Sequence, residues 1–389
     1  MDFSKSTPDV SDVQDALILF ADVIDSSKYS AVLGMMKYAE RLLTLQKLFV
    51  KLGKTYFPTK DNIVSYYEVE ARGDEGTIFC IDPDIEPADL VFKTLQFAYE
   101  LKARIGLLWR FEDIGEVSAQ TMKIGVGIHF GKVALITKIK IDEKGLPRSV
   151  IEGIEGFSIN YGKRVESCSR LGKYSKVFLS KTAASLLDGY PVVLSKHAAS
   201  MKGIEPSEEI YEVRSAFFEI MPLDPAGFDS EIFISTYTTN AKELKLVNEP
   251  WLKGLIISVL DSRLRAAKTD SLKSDYSNKL LELAWMKPSE DDPILLFWRA
   301  KECGEKGKHT QMLAYLKQIV ELYPDFVHAR KKLVKACWEV ANKTSIRAEW
   351  VLARDIADEF LCRFSSYLSD EEKKYFEEII QSTLKASTN

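Results

Sequence analysis

The chemistry of this chain is read first from Asp22 and Asp74. Asp22 closes the apolar run DALILFADV (residues 15–23), and Asp74 stands in the turn Arg72-Gly73-Asp74 between NIVSYYEVEA and EGTIFCI. Carboxylates brought together from two strand ends are a hard-oxygen donor set of the kind magnesium and manganese take. Asp25, Ser26 and Ser27 follow and open a helical pattern, so backbone N–H groups there are placed to cradle phosphates at a helix N-terminus. An ordinary N-cap by Asp25 or a serine fits the same residues. Asn160 and Arg164 lie four apart in a helical stretch and share a face. Metal-held phosphates and a fixed cation near developing charge are the equipment of phosphoryl or nucleotidyl transfer. Taken singly, each residue also has a commonplace role: a strand-end Asp serves turns and caps, and an Asn/Arg pair decorates a solvated helix face.

The elements that must position these groups alternate in type. Residues 15–23 read as a buried strand. Residues 28–53 carry Leu33, Met36, Tyr38, Leu42, Leu45 and Leu48 at helical spacing. Two strands flank the Asp74 turn, and residues 88–109 read as a helix. MKIGVGIHFGKVALITKI reads as a strand, a glycine bend and a second extended stretch. SINYGKRVESCSRLG reads as a helix with Gly172 as its C-cap, and KVFLS and EEIYEV as short strands. This order predicts an α+β sheet with helices packed on one face. SAFFEIMPLDPAGFDSE (215–231) interrupts the pattern with proline and glycine, which divides the chain into domains at 1–222 and 223–389. Beyond it helical periodicity dominates. DPILLFWRAKECGEKGKHTQMLAYLKQIVELYPDF reads as helix, turn at Gly307, helix, and resembles one tetratricopeptide-type pair, although larger residues fill several small-residue positions. The tryptophans of this half read as core.

Composition narrows the function classes. The chain has 389 residues, 46% hydrophobic and 28% charged, with a net charge of −4. That mild acidity argues against a dedicated nucleic-acid binder. Cys80, Cys168, Cys303, Cys337 and Cys362 are scattered, without a CxxC, so neither a disulfide framework nor a zinc site is expected. No apolar run approaches membrane-spanning length, and MDFSKSTPDVSD is too polar for a signal peptide. A cytoplasmic protein with no direct membrane insertion is the expectation. GVGIHFG lacks the third glycine of a dinucleotide loop, GEKGKHT lacks the length of a phosphate-binding loop, and His129 on its apolar strand reads as structural.

Four stretches resemble, in order, the class III adenylate/guanylate cyclases: LFADVIDSS (19–27), EVEARGDEGTIF (68–79), IEGIEGFSINYGKRVE (151–166), preceded by IGVGIHFGKV, and MKGIEPSEEIYEV (201–213). The resemblance implies a ferredoxin-like catalytic domain followed by an all-α, tetratricopeptide-like one. It implies a homodimer with composite sites. In each, Asp22 and Asp74 bridge two Mg2+ or Mn2+ ions with the Val23 carbonyl as a further ligand. Asn160 and Arg164 orient the ribose and stabilise the transition state, and Lys202 contacts phosphate. The base-selecting positions are Glu70 and Gly153. Adenylate cyclases carry lysine at the first and aspartate or threonine at the second; guanylate cyclases carry glutamate and a cysteine-like residue. The adenine pattern is absent, and Glu70 fits guanine, uracil or cytosine, each of which offers a donor. Tyr66 and Tyr67 are candidates to narrow that pocket. The soluble one-domain layout with a helical appendage resembles the pyrimidine cyclases of the Pycsar phage-defence system. That implies UTP as substrate, cUMP as second messenger and a separate cyclic-nucleotide-activated effector. A cytidylate or guanylate cyclase, and a cyclase-like nucleotide-binding module without turnover, are the alternatives.

Overall fold

A computed structural model describes residues 9–58, 65–108, 123–141, 145–190, 192–216, 234, 250–285, 293–323, 327–344, 347–365 and 368–388. The first part of the chain runs β1 (Asp9–Ile24), α1 (Ser26–Leu33), α2 (Met35–Tyr56), β2 (Tyr66–Arg72), β3 (Glu75–Ile81), α3 (Pro87–Leu108), β4 (Lys123–Ile141), β5 (Pro147–Glu155), α4 (Phe157–Ser167), β6 (Val177–Ser180), α5 (Lys181–Leu186), β7 (Val192–Met201) and β8 (Ile204–Ala216). The strands form an eight-stranded sheet in the order β2-β3-β1-β4-β6-β8-β7, with β5 on β4. The segment β2-β3-β1-β4 is antiparallel throughout and has the ferredoxin-like arrangement.

The continuous apolar run of β1 follows from its central place: Ala16, Leu17, Ile18 and Leu19 are all fully buried, as in a strand covered on both faces. The helices are therefore not confined to one face, as the element order suggested. A Cβ at Gly76, paired with Ala21, would fall on the Phe49 ring of α2, whereas a Cβ at Gly162 of α4 would fall 2.6 Å from Ile18 Cγ2. Ala21 and Ile18 point to opposite sides of β1, so α2 and α4 cover opposite faces. α3 lies beside α2, with Phe49 and Phe97 edge to face and the Tyr56 hydroxyl donating to Glu100 at 2.6 Å. The second glycine of GVG is explained by α4: a Cβ at Gly127 would sit 2.1 Å from the Glu166 backbone nitrogen, so only a bare strand lets the helix approach.

Other expectations need correction. The helix expected over 28–53 is two helices, broken at Gly34, whose φ of +78° ends α1. Met36 is exposed, and the buried stripe of α2 runs through Arg41, Leu45, Phe49 and Leu52. β4 is one uninterrupted strand rather than two with a bend. The helix through Asn160 passes into a 3-10 turn, Cys168–Leu171, and Gly172 is extended (φ −66°) rather than a left-handed cap. Gly172 is required for room, since a Cβ there would meet Glu212 Oε1 at 2.7 Å. β5 and β7 were not recognised as strands.

The second part is helical: α6 (Pro250–Ala266), α7 (Asp270–Trp285), α8 (Pro293–Glu305), α9 (His309–Leu322), α10 (Val327–Thr344), α11 (Arg347–Phe364) and α12 (Asp370–Thr388). From α7 onward each helix packs on the next. Trp298 is buried as expected, but Trp285 is 40% exposed. The chain divides into two compact units, one built on residues up to Leu187 with Leu194–Arg214, the other on Leu260 onward. The expected division at 222/223 lies outside the described residues. No described helix is long and apolar enough to cross a membrane.

Candidate active site

β1 delivers Asp22 in the alternating set Ile18, Phe20, Asp22, Ile24 on the α4 face, opposite Glu75 of β3 and Gly125 of β4. The adjoining turn is fixed twice. Gly73 takes φ +59°, which the tight β2–β3 connection requires, and its carbonyl accepts a hydrogen bond from Gln46 Nε2 of α2 at 2.8 Å. The Val23 N–H donates to the Asp74 carbonyl at 3.3 Å. Asp22, Asp74 and Glu75 thus line one hollow with Gln46 and Phe49. Burial raises the Asp22 pKa, and the Asp74 and Glu75 charges push the same way, against Lys163 and Arg170.

Lys163 of α4 reaches into this acidic group. Its ammonium lies 2.5 Å from Glu75 Oε2, 3.0 Å from Glu166 Oε2 and 3.7 Å from Asp22 Oδ2. Burial alone would lower its pKa, but Glu166, Glu75 and Asp22 together raise it. Glu166 is itself raised, by burial, against the pull of Lys163. Tyr38 of α2 joins the group: burial raises its pKa, Asp74 and Asp22 add to this, and a hydrogen bond with Ser26 opposes it.

The α1 N-terminus lies immediately beyond Asp22. Asp25 is left-handed (φ 57°) and no side chain caps the helix, so the ordinary cap expected of Asp25 or a serine is not formed. The first N–H groups of the helix therefore stay outside its own hydrogen-bond ladder, with Ser26 half-buried and Ser27 exposed.

The remaining sequence-read residues are not brought to Asp22. Asn160 is exposed and Arg164 partly so, and neither side chain makes a hydrogen bond or ion pair among the described residues. Arg164 is not among the charges bearing on Asp22, although it follows Lys163 directly on α4. Lys202 is exposed at the β7–β8 turn. Glu70 stands on β2 opposite Thr77 and pairs with Arg72 at 3.1 Å. Tyr66 shares its side of β2 and donates to Glu68, whereas Tyr67 points the other way and donates to Asp82, so Tyr67 does not narrow a pocket at Glu70. Gly153 pairs with Ile136, and a Cβ there would meet nothing within 4 Å. No packing constraint demands a glycine at that point.

Among the described residues, no three acidic, histidine or cysteine side chains are grouped to enclose a metal ion. Two carboxylates with the Val23 carbonyl beside them nonetheless suit magnesium, which binds through one or two carboxylates and completes its shell with phosphate oxygens and water. The fully buried carboxylate of Glu166, both of whose oxygens lack a directed hydrogen bond, shows the same excess of hard oxygen at this point. The donors fit the group.

Gln46, Tyr38, Lys163 and Glu166 were missed from the sequence. Lys163 adjoins Arg164 and Glu166 lies two residues on; reading only the four-residue spacing from Asn160 passed over both.

No protein-family model matches the chain, and no curated protein matches it. Solved structures that it resembles include the adenylyl cyclase CyaB from P. aeruginosa (17% identity, 52% of this chain and 96% of that one, TM-score 0.40). Another is a guanylyl cyclase (17% identity, 57% and 98%, TM-score 0.38). A third is a class III adenylyl cyclase-like ATP-binding protein from Pseudomonas aeruginosa (16% identity, 48% and 37%, TM-score 0.32).

Proposed function

We propose that this chain is a homodimeric nucleotidyl cyclase that converts a nucleoside triphosphate, UTP in the first instance, to the 3′,5′-cyclic nucleotide and pyrophosphate. One observation carries the reading. Asp22 and Asp74 converge at one sheet end beside an uncapped helix N-terminus, while Asn160, Arg164 and Lys202 of the same chain reach nothing there. A second copy supplying the latter set to the former completes a site, and symmetry then gives two equivalent sites. Exposed apolar residues at the end of β4, just before β5 and at the start of α4 (Ile139, Ile141, Leu146 and Phe157) offer a surface for that pairing.

Asp22, Asp74 and the Val23 carbonyl would hold two Mg2+ or Mn2+ ions, which supply charge neutralisation at the attacking and leaving oxygens. The α1 N-terminus, with Ser26 and Ser27, binds the triphosphate through backbone N–H groups. Asn160 orients the ribose so that its 3′ oxygen faces the α-phosphorus in line, and Arg164 stabilises the charge that grows on the phosphoryl oxygens. Lys202 steadies the outgoing pyrophosphate. Glu70 accepts from the base edge once it exchanges its Arg72 partner for a ring N–H, and Gly153 leaves the room. Residues 1–222 act as the catalytic domain and 223–389 as a regulatory one. The layout supports a cytoplasmic enzyme whose cUMP activates a separate effector in antiviral defence. Incubating the pure protein with each ribonucleoside triphosphate and Mn2+ tests the reading. A cyclic product from UTP is expected, and exclusive turnover of GTP or CTP would move the base assignment to that nucleotide.

A second reading, nucleotide binding without turnover, is favoured by Lys163 lying among the acids and by the lack of a three-ligand metal group among the described residues. Binding of a triphosphate with no product from any of the four would establish it.

A further inference from the structure

Lys163 has two attachments of different kinds. Toward the protein interior it faces Glu166, a carboxylate only 1% exposed, whose oxygens find no directed hydrogen bond. A buried carboxylate without a counter-charge is strongly destabilising, so this contact is a standing requirement of the fold. Toward the site it faces Glu75 and Asp22, which are 37% and 18% exposed, and its ammonium lies 5.6 Å from the centre of the Phe20 ring. That second attachment is optional. Asp22 and Glu75 are open enough to be solvated or to take another cation.

A divalent ion ligated by Asp22 would compete with Lys163 for the same oxygen. With no triphosphate present to offset it, an ammonium about 4 Å from the ion would repel it, the more so where the surroundings are partly dry. The lysine stem is flexible and its charge compact, so the ammonium can leave Asp22 and Glu75 while keeping Glu166.

We propose that Lys163 is an internal counter-ion of the Asp22 site, holding Asp22 and Glu75 while metal is absent and giving them up when metal binds, tethered throughout by Glu166. Metal loading is then an exchange of one cation for another. The acids keep a defined geometry when empty, and the site loads at a higher metal concentration than its carboxylates alone would require. The inference rests on Asp22 being a metal ligand, as in the proposed function.

The test is Mn2+ binding to the full-length protein without nucleotide, followed by the electron paramagnetic resonance signal of the free ion. Lys163→Gln should bind Mn2+ about tenfold more tightly than wild type, because the competitor is gone, and Lys163→Arg should stay within about threefold of wild type. If Lys163→Gln fails to fold because Glu166 is left bare, Lys163→Gln with Glu166→Gln removes the buried pair isosterically. Its net charge equals that of wild type, so tighter binding there reports displacement and not charge alone. Equal or weaker Mn2+ binding in whichever of the two glutamine variants folds overturns the proposal. Adding Asp22→Asn to Lys163→Gln separates the two inferences: tight binding that survives Asp22→Asn refutes Asp22 as ligand, whereas Asp22-dependent binding with no gain over wild type refutes only Lys163.

Discussion

The Asp22 end of the sheet and the outer side of α4 hold functional groups in opposite ways. Asp22 and Asp74 are held by backbone register, by the Gln46 bond to Gly73 and by the Val23–Asp74 bond, and Asp22 also faces the Lys163 ammonium that binds Glu75 and Glu166. Asn160 and Arg164 project from α4 and Lys202 from the β7–β8 turn, and they engage nothing among the described residues. Both sets belong to one chain, and α4 touches both: its Lys163 reaches Asp22, while its Asn160 is exposed and its Arg164 partly so. In the proposed dimer a second copy brings the exposed half to the positioned one.

The largest effect expected on that contrast comes from the held half. Asp22→Ala or Asp74→Ala should each lower cyclisation by about a thousandfold or more, roughly 4 kcal/mol of transition-state stabilisation. Circular dichroism should show the fold unchanged. Wild-type turnover by folded Asp22→Ala would remove the metal role from this end of the sheet.

Arg164→Ala should cost about a hundred- to a thousandfold, like the loss of other groups that meet developing charge. Mixing it with Asp22→Ala breaks or confirms the contrast directly. Random pairing makes about half the dimers mixed, each with one intact site of two, so activity should recover to about a quarter of wild type. No recovery, with subunit exchange demonstrated by a tagged partner, would mean that the exposed set never serves the held set of a second chain.

How much of this was legible is best seen at particular residues. Asp22 and Asp74 could be found because an apolar run ending in an acid and a turn with glycine are local signals. Asn160 and Arg164 could be found because helical spacing places them on one side. Lys163 could not, because its meaning depends on how closely α4 docks, and that is set by bare glycines in two elements far apart in sequence, Gly127 and Gly162. The covering of both sheet faces was illegible for a related reason: amphipathicity says that a helix has a buried side, not which face of a sheet buries it. The break at Gly34 was hidden because apolar spacing continues across it.

A smaller effect is expected at Glu70. Losing a carboxylate that pairs with a base donor leaves about 1–3 kcal/mol of discrimination to be lost, roughly five- to a hundredfold in relative rates. Glu70→Ala should flatten the preference among UTP, CTP and GTP while leaving Mn2+ dependence in place. An unchanged preference would take base reading away from β2, and with it the reason for assigning the exposed set to a pyrimidine.

The smallest effect concerns what fastens the shared helix. His129 of β4 lies under α4, its ring 4.8 Å from that of Tyr161, with Nδ1 2.9 Å from the Ser180 hydroxyl. Burial pushes its pKa down to about 4 from 6.5. A buried imidazole of this kind is neutral in the folded state but takes a proton in the unfolded chain, so its contribution is complete above about pH 6.5 and is lost as pH falls toward 4. Between pH 7.5 and pH 5 this amounts to about 2 kcal/mol. Asp22 and Glu166 work in the opposite sense, because their raised carboxyl groups gain protons more readily in the folded state and add stability as pH falls. The His129 part is isolated by His129→Gln, which keeps a polar group toward Ser180 but does not titrate. Hydrogen exchange at the amides of β4 and α4 should show the wild type loosening from pH 7.5 to 5 by about 2 kcal/mol more than the variant, after correction for intrinsic rates. Because α4 carries Lys163 as well as Asn160 and Arg164, acid loosening should reach Lys163 and Arg164 together. Equal pH dependence in wild type and variant would show that His129 does not fasten α4, and that the helix is secured by the glycine contacts alone.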